Sequence, residues 1–423
     1  MATRQTTPAP PSAWSRITAC RACGEAGLRP VLDLGQVPLA DVFPTTDDLA
    51  TPDPVYPLTV VACPSCSLVQ TSEDVPATEL FDDRYLYRSS ASADLVSRAR
   101  RQVLDLIGDG RLGPDATIVE IASNDGYLLR HAVEAGVRAV GIDPVAALAA
   151  EARGHGIETV EAFFDRTLAA DLRADGVRAD VIVANNVLAH VEDLASTCEG
   201  IRDLLAPGGI VRIEVPWVHA LVEGLAFDTT YHEHRCHFGV VPLARLFDRH
   251  GLVLTHVDHL PVHGGSLRLT VEHTGEPDQS VRDAIAMEEA AGLVDGSGLT
   301  AFAGRVDDAV ARLHDVVATT VARHGPMAGY GAAAKGTVLA NVLGLTTDEV
   351  GWVVDRNAAK HGRFVPGLRA PILPVEALLD RAPDVTFLFA WNHEAEVLGE
   401  QGAVLAAGGR FLVPLPTPRM VPA

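Results

Sequence analysis

The feature that most constrains this chain is an alternation of short apolar runs with helix-length stretches, seen twice. Thr117-Ile118-Val119-Glu120-Ile121 is the first run, followed by a polar turn ending at Gly126 and a helix from about Tyr127. Val137 to Ile142, Val181 to Ala184 and Ile210 to Val215 repeat the pattern, the last after Pro207-Gly208-Gly209. Runs of this length between turn residues read as strands buried on both faces. Strands alternating with helices imply a mostly parallel sheet covered on both sides. Leu267 to Val271 adds a candidate strand, and 280–323 reads as one or two long helices with a charged, solvated face. The alternation returns at Met327 to Tyr330, with a loop over Gly331 to Gly336 and a helix over Thr337 to Leu345. Gly351 to Asp355, Thr386 to Ala390 and Arg410 to Val413 are further strands. The expected fold class is α/β, with a larger and a smaller doubly wound unit whose likeness suggests an old duplication.

The N-terminal region differs. Met1 to Pro11 reads as a disordered tail, and the Pro-rich stretch from Ser15 to about Gln70 shows little helical periodicity. A segment this short buries little core by itself and calls for a staple. Cys20-x-x-Cys23 and Cys63-x-x-Cys66 supply four thiolates, and zinc favours such closed sulfur shells, which leave no room for a reactive water. A structural zinc ion is therefore expected. The 39 residues between the pairs exceed the roughly 15–20 of an ordinary ribbon. Cys198 and Cys236 have no partner pattern and read as buried apolar thiols.

Charge narrows the partners. The 423 residues carry a net charge of −21, which opposes binding to a polyanion but not to one small phosphorylated ligand. No nucleic-acid partner is expected. No stretch is apolar enough for a membrane span and none reads as a signal peptide, so the expected setting is cytoplasmic, where disulfides are rare.

Glu120-Ile121-Ala122-Ser123-Asn124-Asp125-Gly126 follows a strand and opens a helix, a turn whose backbone N–H groups bind polar ligand atoms. Asp143 ends the next strand, 23 residues after Glu120, and is placed to accept ribose hydroxyls. The loop lacks Gly-x-Gly-x-x-Gly, which weakens a dinucleotide reading. An acidic strand end repels a pyrophosphate yet suits the sulfonium and amino group of S-adenosylmethionine. Glu120, Ala122, Ser123, Asn124, Asp143 and Pro144 are the candidate cofactor residues. Phe163 joins them as a ring for adenine, with core packing an equal reading for Phe163 and Phe164. Asn185 and Asn186 complete the set, at a strand's C-terminal end.

Several further motifs occur in order along nearly the full length. They include the two Cys pairs, Leu32-Asp33-Leu34-Gly35, Tyr85-Leu86-Tyr87-Arg88-Ser89-Ser90 and Ser123-Asn124-Asp125-Gly126-Tyr127-Leu128-Leu129. Asn186-Val187-Leu188-Ala189-His190-Val191, Tyr231-His232-Glu233-His234, His263-Gly264-Gly265-Ser266-Leu267-Arg268 and Gly329 to Gly336 follow. In these the chain resembles the zinc-containing sugar C-methyltransferases of antibiotic biosynthesis, which methylate C-3 of 4-keto deoxysugars carried on dTDP. The resemblance implies a zinc-binding domain (14–80), a Rossmann-like class I methyltransferase domain (81–272), and a helical segment with a second Rossmann-like domain (273–423). It implies S-adenosyl-L-methionine as cofactor and a nucleotide sugar as small-molecule substrate; a monomer or weak homodimer is expected.

That chemistry needs a base for the C–H beside the keto group and donors for the enolate oxygen. The resemblance makes His234 the base and Glu233 its orienter, with His190, Tyr231 and Tyr85 as donors to the keto oxygen or sugar. A helical turn would put Tyr231 and His234 on one face, and an extended segment Tyr231 and Glu233. Tyr87, Ser89, His263, Ser266, Arg268 and Asn392 are candidate sugar-site residues, though a plain turn is an equal reading after Gly264-Gly265. Lys335 is a diphosphate donor or a solvated lysine, and His232 and His237 read as structural. Two positions depart from the family pattern. Ala122 stands where Gly is frequent, which ordinary torsions would tolerate, and Asp41 stands where Asn is expected after Pro38-Leu39-Ala40. Rival readings are a nicotinamide oxidoreductase or epimerase, a zinc hydrolase using 231–237, a zinc-ribbon adaptor, and an O- or N-methyltransferase.

Overall fold

The protein was analysed as a computed structural model that describes residues 14–81, 84–262 and 264–422. The reading of Met1 to Pro11, and that of His263, fall outside these residues.

The larger sheet has seven strands. Its spatial order is Val253–Leu260, Ser266–Glu272, Leu205–Pro216, Ala179–Asn185, Thr117–Ile121, Arg138–Ile142 and Glu158–Val160. The last five run parallel, while Ser266–Glu272 lies antiparallel to both its neighbours. Numbered along the chain, the order is 3-2-1-4-5-7-6, the arrangement of a class I methyltransferase fold. It reverses between the first and fourth strands. At such a switch point the connecting helices leave in opposite directions, and a crevice opens beyond the strand ends. Burial on both faces explains the unbroken apolar runs: Ile118, Val119, Val181, Ile182 and Val183 have no exposed surface. Aspartates cap the flanking helices. Asp165 accepts from the Leu168 amide at 2.8 Å and Asp193 from that of Ser196 at 2.9 Å, bonds each worth about 1 kcal/mol.

The smaller sheet has six strands in the order Ile372–Leu373, Val350–Val354, Met327–Tyr330, Val385–Leu388, Arg410–Val413 and Arg419–Val421, parallel except for the last. Two helices, Gln279–Ala290 and Ser297–His324, join the sheets. The left-handed Gly292 and Gly296 break what would otherwise be one long helix.

The N-terminal segment has only a small cluster of its own, Leu39, Tyr56, Val75 and Leu80, and shares the rest of its packing with the two larger units. Its four-stranded sheet runs Arg29–Val37, Tyr56–Ala62, Val69–Thr71 and then Cys236–His237, a strand lent by the methyltransferase domain. One face packs Leu68 with Trp217 and Phe238 of the larger unit. The other packs Leu32, Leu34 and Leu58 with Phe302 and Val338 further along the chain. Fully buried Arg235 pins this junction: it binds the Asp74 carboxylate and the Val75 carbonyl.

Candidate active site and metal centre

The four cysteines converge. The Sγ atoms of Cys20, Cys23, Cys63 and Cys66 all lie within 4.8 Å of one another, with Cys20–Cys66 and Cys23–Cys63 each at 3.5 Å. Four thiolates about 2.3 Å from a tetrahedral zinc would stand about 3.8 Å apart, so the set fits the ion. Each pair sits in a similar knuckle. The Gly24 amide bonds the Cys20 carbonyl, the Ser67 amide bonds the Cys63 carbonyl, and both closing residues are left-handed, at φ 74° and 66°. The long gap between the pairs is taken up by the hairpin Arg29–Val37/Tyr56–Ala62. Cys198 and Cys236 are buried and free.

At the switch point the loop after Thr117–Ile121 is held by the next strand. Asp143 accepts from the Asn124 amide at 2.8 Å and the Val145 amide at 2.9 Å. Ala122 has φ 56°, so its torsion is left-handed and the condition under which alanine replaces glycine freely is not met. Asn124 and Asn186, at φ 50° and 54°, share that conformation, which asparagine tolerates better than alanine. The Asn124 side chain accepts from the Ser89 amide at 2.9 Å, and Asp125 accepts from that of Ser90 at 3.2 Å. These bonds lay the Tyr85–Ser90 segment over the loop, so Asn124 acts here as a fastener. Pro144 is half-buried beside Asp143, and Phe163 stands 44% exposed while Phe164 joins the core.

Buried polar atoms without a hydrogen-bond partner collect at these strand ends: Glu120 Oε2, Ser123 Oγ, Asn185 Oδ1 and Asn186 Oδ1. Such atoms are few in folded proteins, and their concentration where the sheet opens fits a polar ligand there. Burial, then Asp143 and Asp125, pushes the Glu120 carboxyl well up. Asn185 is set by Gln102 at 3.1 Å. Beneath Asn186, Glu214 accepts from Arg268 at 3.3 Å, and the Ser266 hydroxyl donates to the Val262 carbonyl. Arg268 and Ser266 thus have structural partners in the sheet and its turn.

The expected catalytic residues meet in one chain of rings: Tyr87–Tyr85 at 6.4 Å, Tyr85–Phe81 at 5.4 Å, Phe81–His190 at 5.6 Å, His190–His234 at 4.9 Å and His234–Tyr231 at 3.9 Å. Residues 231–234 form a turn, the His234 amide bonding the Tyr231 carbonyl at 2.9 Å, so Tyr231 and His234 share a face. His234 Nδ1 lies 2.7 Å from the Thr229 carbonyl and must carry the proton there, leaving Nε2 to accept the Tyr231 hydroxyl at 2.8 Å. Burial pushes the Tyr231 phenol well above its ordinary range, which keeps that proton in place.

The group at His234 Nδ1 is the Thr229 carbonyl, and Glu233, adjacent in this turn, points apart from it. Glu233 Oε1 accepts instead from the Asp41 amide at 3.4 Å, and burial with the Asp41 charge pushes its carboxyl up to about 8. His190 is not a donor to substrate through Nδ1, whose proton goes to the Glu233 carbonyl at 2.7 Å; burial pushes its pKa down to about 4, so the ring is neutral. His232 and His237 have structural partners, the Pro57 carbonyl and the Thr230 hydroxyl.

Lys335 is neither solvated nor open. Its side chain is 15% exposed, 3.7 Å from Asp228 and over the Trp391 ring. Asn392 lines a cavity of about 510 Å³ with Gly264, Trp391, Glu394 and Arg419. Thr229, Asp228, Phe81 and Trp391 escaped the sequence reading, since a backbone acceptor and a partner from a distant loop leave no local pattern.

The sheet order, the left-handed asparagines at its switch point and the open polar atoms there define a methyltransferase. The family models agree along the chain: a zinc binding domain over 20–81, a methyltransferase domain over 88–257 and a C-methyltransferase C-terminal domain over 261–416. C-methyltransferase NovU of Streptomyces niveus is 33% identical over 417 residues, 96% of this chain and 97% of that protein. The chain belongs to this zinc-containing C-methyltransferase family. It is an S-adenosylmethionine-dependent enzyme with a zinc-binding domain. Among solved structures, magnesium protoporphyrin IX methyltransferase from Synechocystis PCC 6803 with bound SAM is 14% identical, covering 42% of this chain and 79% of that one at a TM-score of 0.33. An S-adenosylmethionine-dependent methyltransferase from Clostridium acetobutylicum is 12% identical, covering 43% and 92% at 0.35. No helix among the described residues is long and apolar enough to cross a membrane.

Proposed function

We propose that the enzyme methylates C-3 of a 4-keto deoxysugar carried on dTDP, in antibiotic deoxysugar biosynthesis, with His234 as the base. The observation that carries this reading is the His234–Tyr231 pair: an imidazole whose Nδ1 is held by a backbone carbonyl and whose Nε2 faces a phenol. A keto group acidifies the neighbouring C–H. His234 Nε2 takes that proton, and the pair of electrons left behind moves onto the keto oxygen. As Nε2 fills, it releases the Tyr231 hydroxyl, which turns to donate to the enolate oxygen. One donor to such an oxyanion is worth roughly 3–4 kcal/mol. Tyr85, capped by Phe81 and kept protonated by burial, is a second donor. Glu233, with its raised pKa, holds a proton beside the same ring chain.

Glu120, Ser123, Asp143, Asn185 and Asn186 would hold S-adenosylmethionine, which supplies an electrophilic methyl group for the substrate carbon. Phe163 is an exposed ring for its adenine. A cytoplasmic setting, where thiols stay reduced, suits the four-cysteine site.

The test is the product from a dTDP-4-keto deoxysugar, analysed by mass spectrometry and NMR. A methyl at C-3 is expected; a methyl on another carbon overturns the assignment. His234→Ala is expected to lower turnover by about 10²–10⁴ while calorimetric affinity for S-adenosylmethionine is kept. Wild-type turnover in that variant removes His234 as the base.

A further inference from the structure

The C-terminal unit turns two side chains toward the catalytic turn. Lys335 lies in the first turn of the helix Ala334–Val342, and Trp391 opens a short turn over Trp391–His393. Both reach Asp228, which has no exposed surface. The Trp391 indole N–H donates to Asp228 Oδ2 at 2.6 Å. Lys335 Nζ is 3.7 Å from Oδ1 and 4.4 Å from the centroid of the Trp391 ring.

A buried carboxylate costs several kcal/mol unless it is paired, so this placement needs its partners. What it borders is the point of interest. Asp228 sits in the tight turn Phe227–Thr229, where the Thr229 amide bonds the Ala226 carbonyl and the Thr230 amide bonds that of Phe227. The Thr229 carbonyl, one residue beyond Asp228, is the one that receives the His234 Nδ1 proton at 2.7 Å. In a turn closed by successive backbone bonds, a shift at Asp228 is passed to that carbonyl.

An anion-binding role for Lys335 meets three obstacles. A carboxylate already faces the ammonium, an indole ring covers it, and little of the side chain reaches solvent. A diphosphate arriving there would meet a neutralised pair.

We propose that Lys335 and Trp391 are positioning residues: by holding Asp228 they fix the Thr229 carbonyl, and so keep the His234 proton on Nδ1 and its Nε2 as the acceptor. This rests on the reading of His234 as the base.

The test uses the full-length, zinc-loaded enzyme in four forms: wild type, Lys335→Met, Lys335→Arg and Trp391→Phe. The last removes the N–H together with the pyrrole ring but keeps an aromatic ring, so it guards against a variant that fails to fold. Histidine-selective ¹⁵N NMR, with His234 assigned by its loss in His234→Gln, reads the tautomer directly. Lys335→Met and Trp391→Phe are expected to shift the His234 nitrogen signals. They should lower kcat about tenfold and move the pH profile of kcat, while KM for the nucleotide sugar stays within about threefold. Lys335→Arg should restore most of the rate. Unchanged His234 signals and kcat, with KM or inhibition by dTDP weakened about tenfold, would overturn the proposal and make Lys335 an anion ligand. If His234→Ala kept its activity, the base reading would fail, yet the nitrogen signals would still report whether the clamp controls the ring.

Discussion

The two doubly wound units share the order 3-2-1-4-5 over their first five strands, yet treat the same crevice in opposite ways. In the larger unit the loop after the first strand stays open, with Glu120, Ser123, Asn185 and Asn186 presenting unpartnered buried atoms. In the smaller unit the corresponding loop is covered by neighbouring chain, although Lys335 Nζ is also buried without a hydrogen-bond partner. Lys360 donates to the Ala332 carbonyl at 2.7 Å, Thr337 donates to that of Ala40 at 3.2 Å, and Lys335 is turned onto Asp228. A doubly wound sheet offers a crevice at its switch point. Whether a ligand enters is decided by what the neighbouring chain places over it. Two such units therefore do not imply two nucleotides, and the oxidoreductase reading loses its main support.

The zinc-binding segment touches the cores of both units, so its metal is the means to break both together. Removing zinc with a chelator is expected to have the largest effect. Zinc contributes about 10–16 kcal/mol to small four-ligand domains, and here the Cys236–His237 strand beside the 231–234 turn pairs with Val69–Thr71, next to Cys66. Loss of turnover, together with loss of native near-ultraviolet dichroism, is the expected outcome. A metal-free protein that keeps both would show that the hairpin stands without its staple.

What the sequence discloses and what it hides divides along physical lines. Met327–Tyr330 and Arg410–Val413 begin and end where their apolar runs do, because burial on both faces demands continuous apolar residues. Cys20, Cys23, Cys63 and Cys66 are legible because ligand spacing is local to each knuckle. The partner of His234 is not, since a backbone carbonyl has no sequence signature. Nor is the pairing of Lys335 with Asp228, which depends on how two units dock. Asp41 shows a middle case. Its departure from Asn is visible in the chain, but only the fold puts it beside Glu233.

The contrast between the loops sharpens under substitution. Gly331 has φ 93°, and a Cβ there would stand 2.7 Å from that of Ala390. Gly331→Ala is expected to destabilise by about 2–5 kcal/mol through backbone strain and overpacking. Affinity for S-adenosylmethionine should be unchanged in the folded fraction. A large loss of affinity at constant stability would mean that the smaller unit takes part in cofactor binding. Asp143→Ala, in the larger unit, should do the reverse. It removes a carboxylate from the open crevice and two anchors from its loop, and calorimetry should show affinity weakened by about 1–3 kcal/mol, the cost of orphaning buried polar partners. Unchanged affinity would end the ribose assignment.

Ala122→Gly is the smallest and most discriminating change. Ala122 occupies φ 56°, a conformation that costs an L-residue about 1–2 kcal/mol. Glycine removes that strain but returns about 0.4–1 kcal/mol to the unfolded chain as entropy. The net expectation is a gain of roughly 0.5 kcal/mol, read as a shift in the denaturant midpoint at constant slope. The sign is the opposite of that at Gly331, although both residues follow the first strand of a like-ordered sheet. In the larger unit's loop Ala122 carries its methyl group in a left-handed torsion while still partly exposed. At Gly331 a methyl group would press on Ala390. A loss above about 1 kcal/mol for Ala122→Gly would show that the methyl group is itself packed, and that the first crevice is less open than its unpartnered atoms imply.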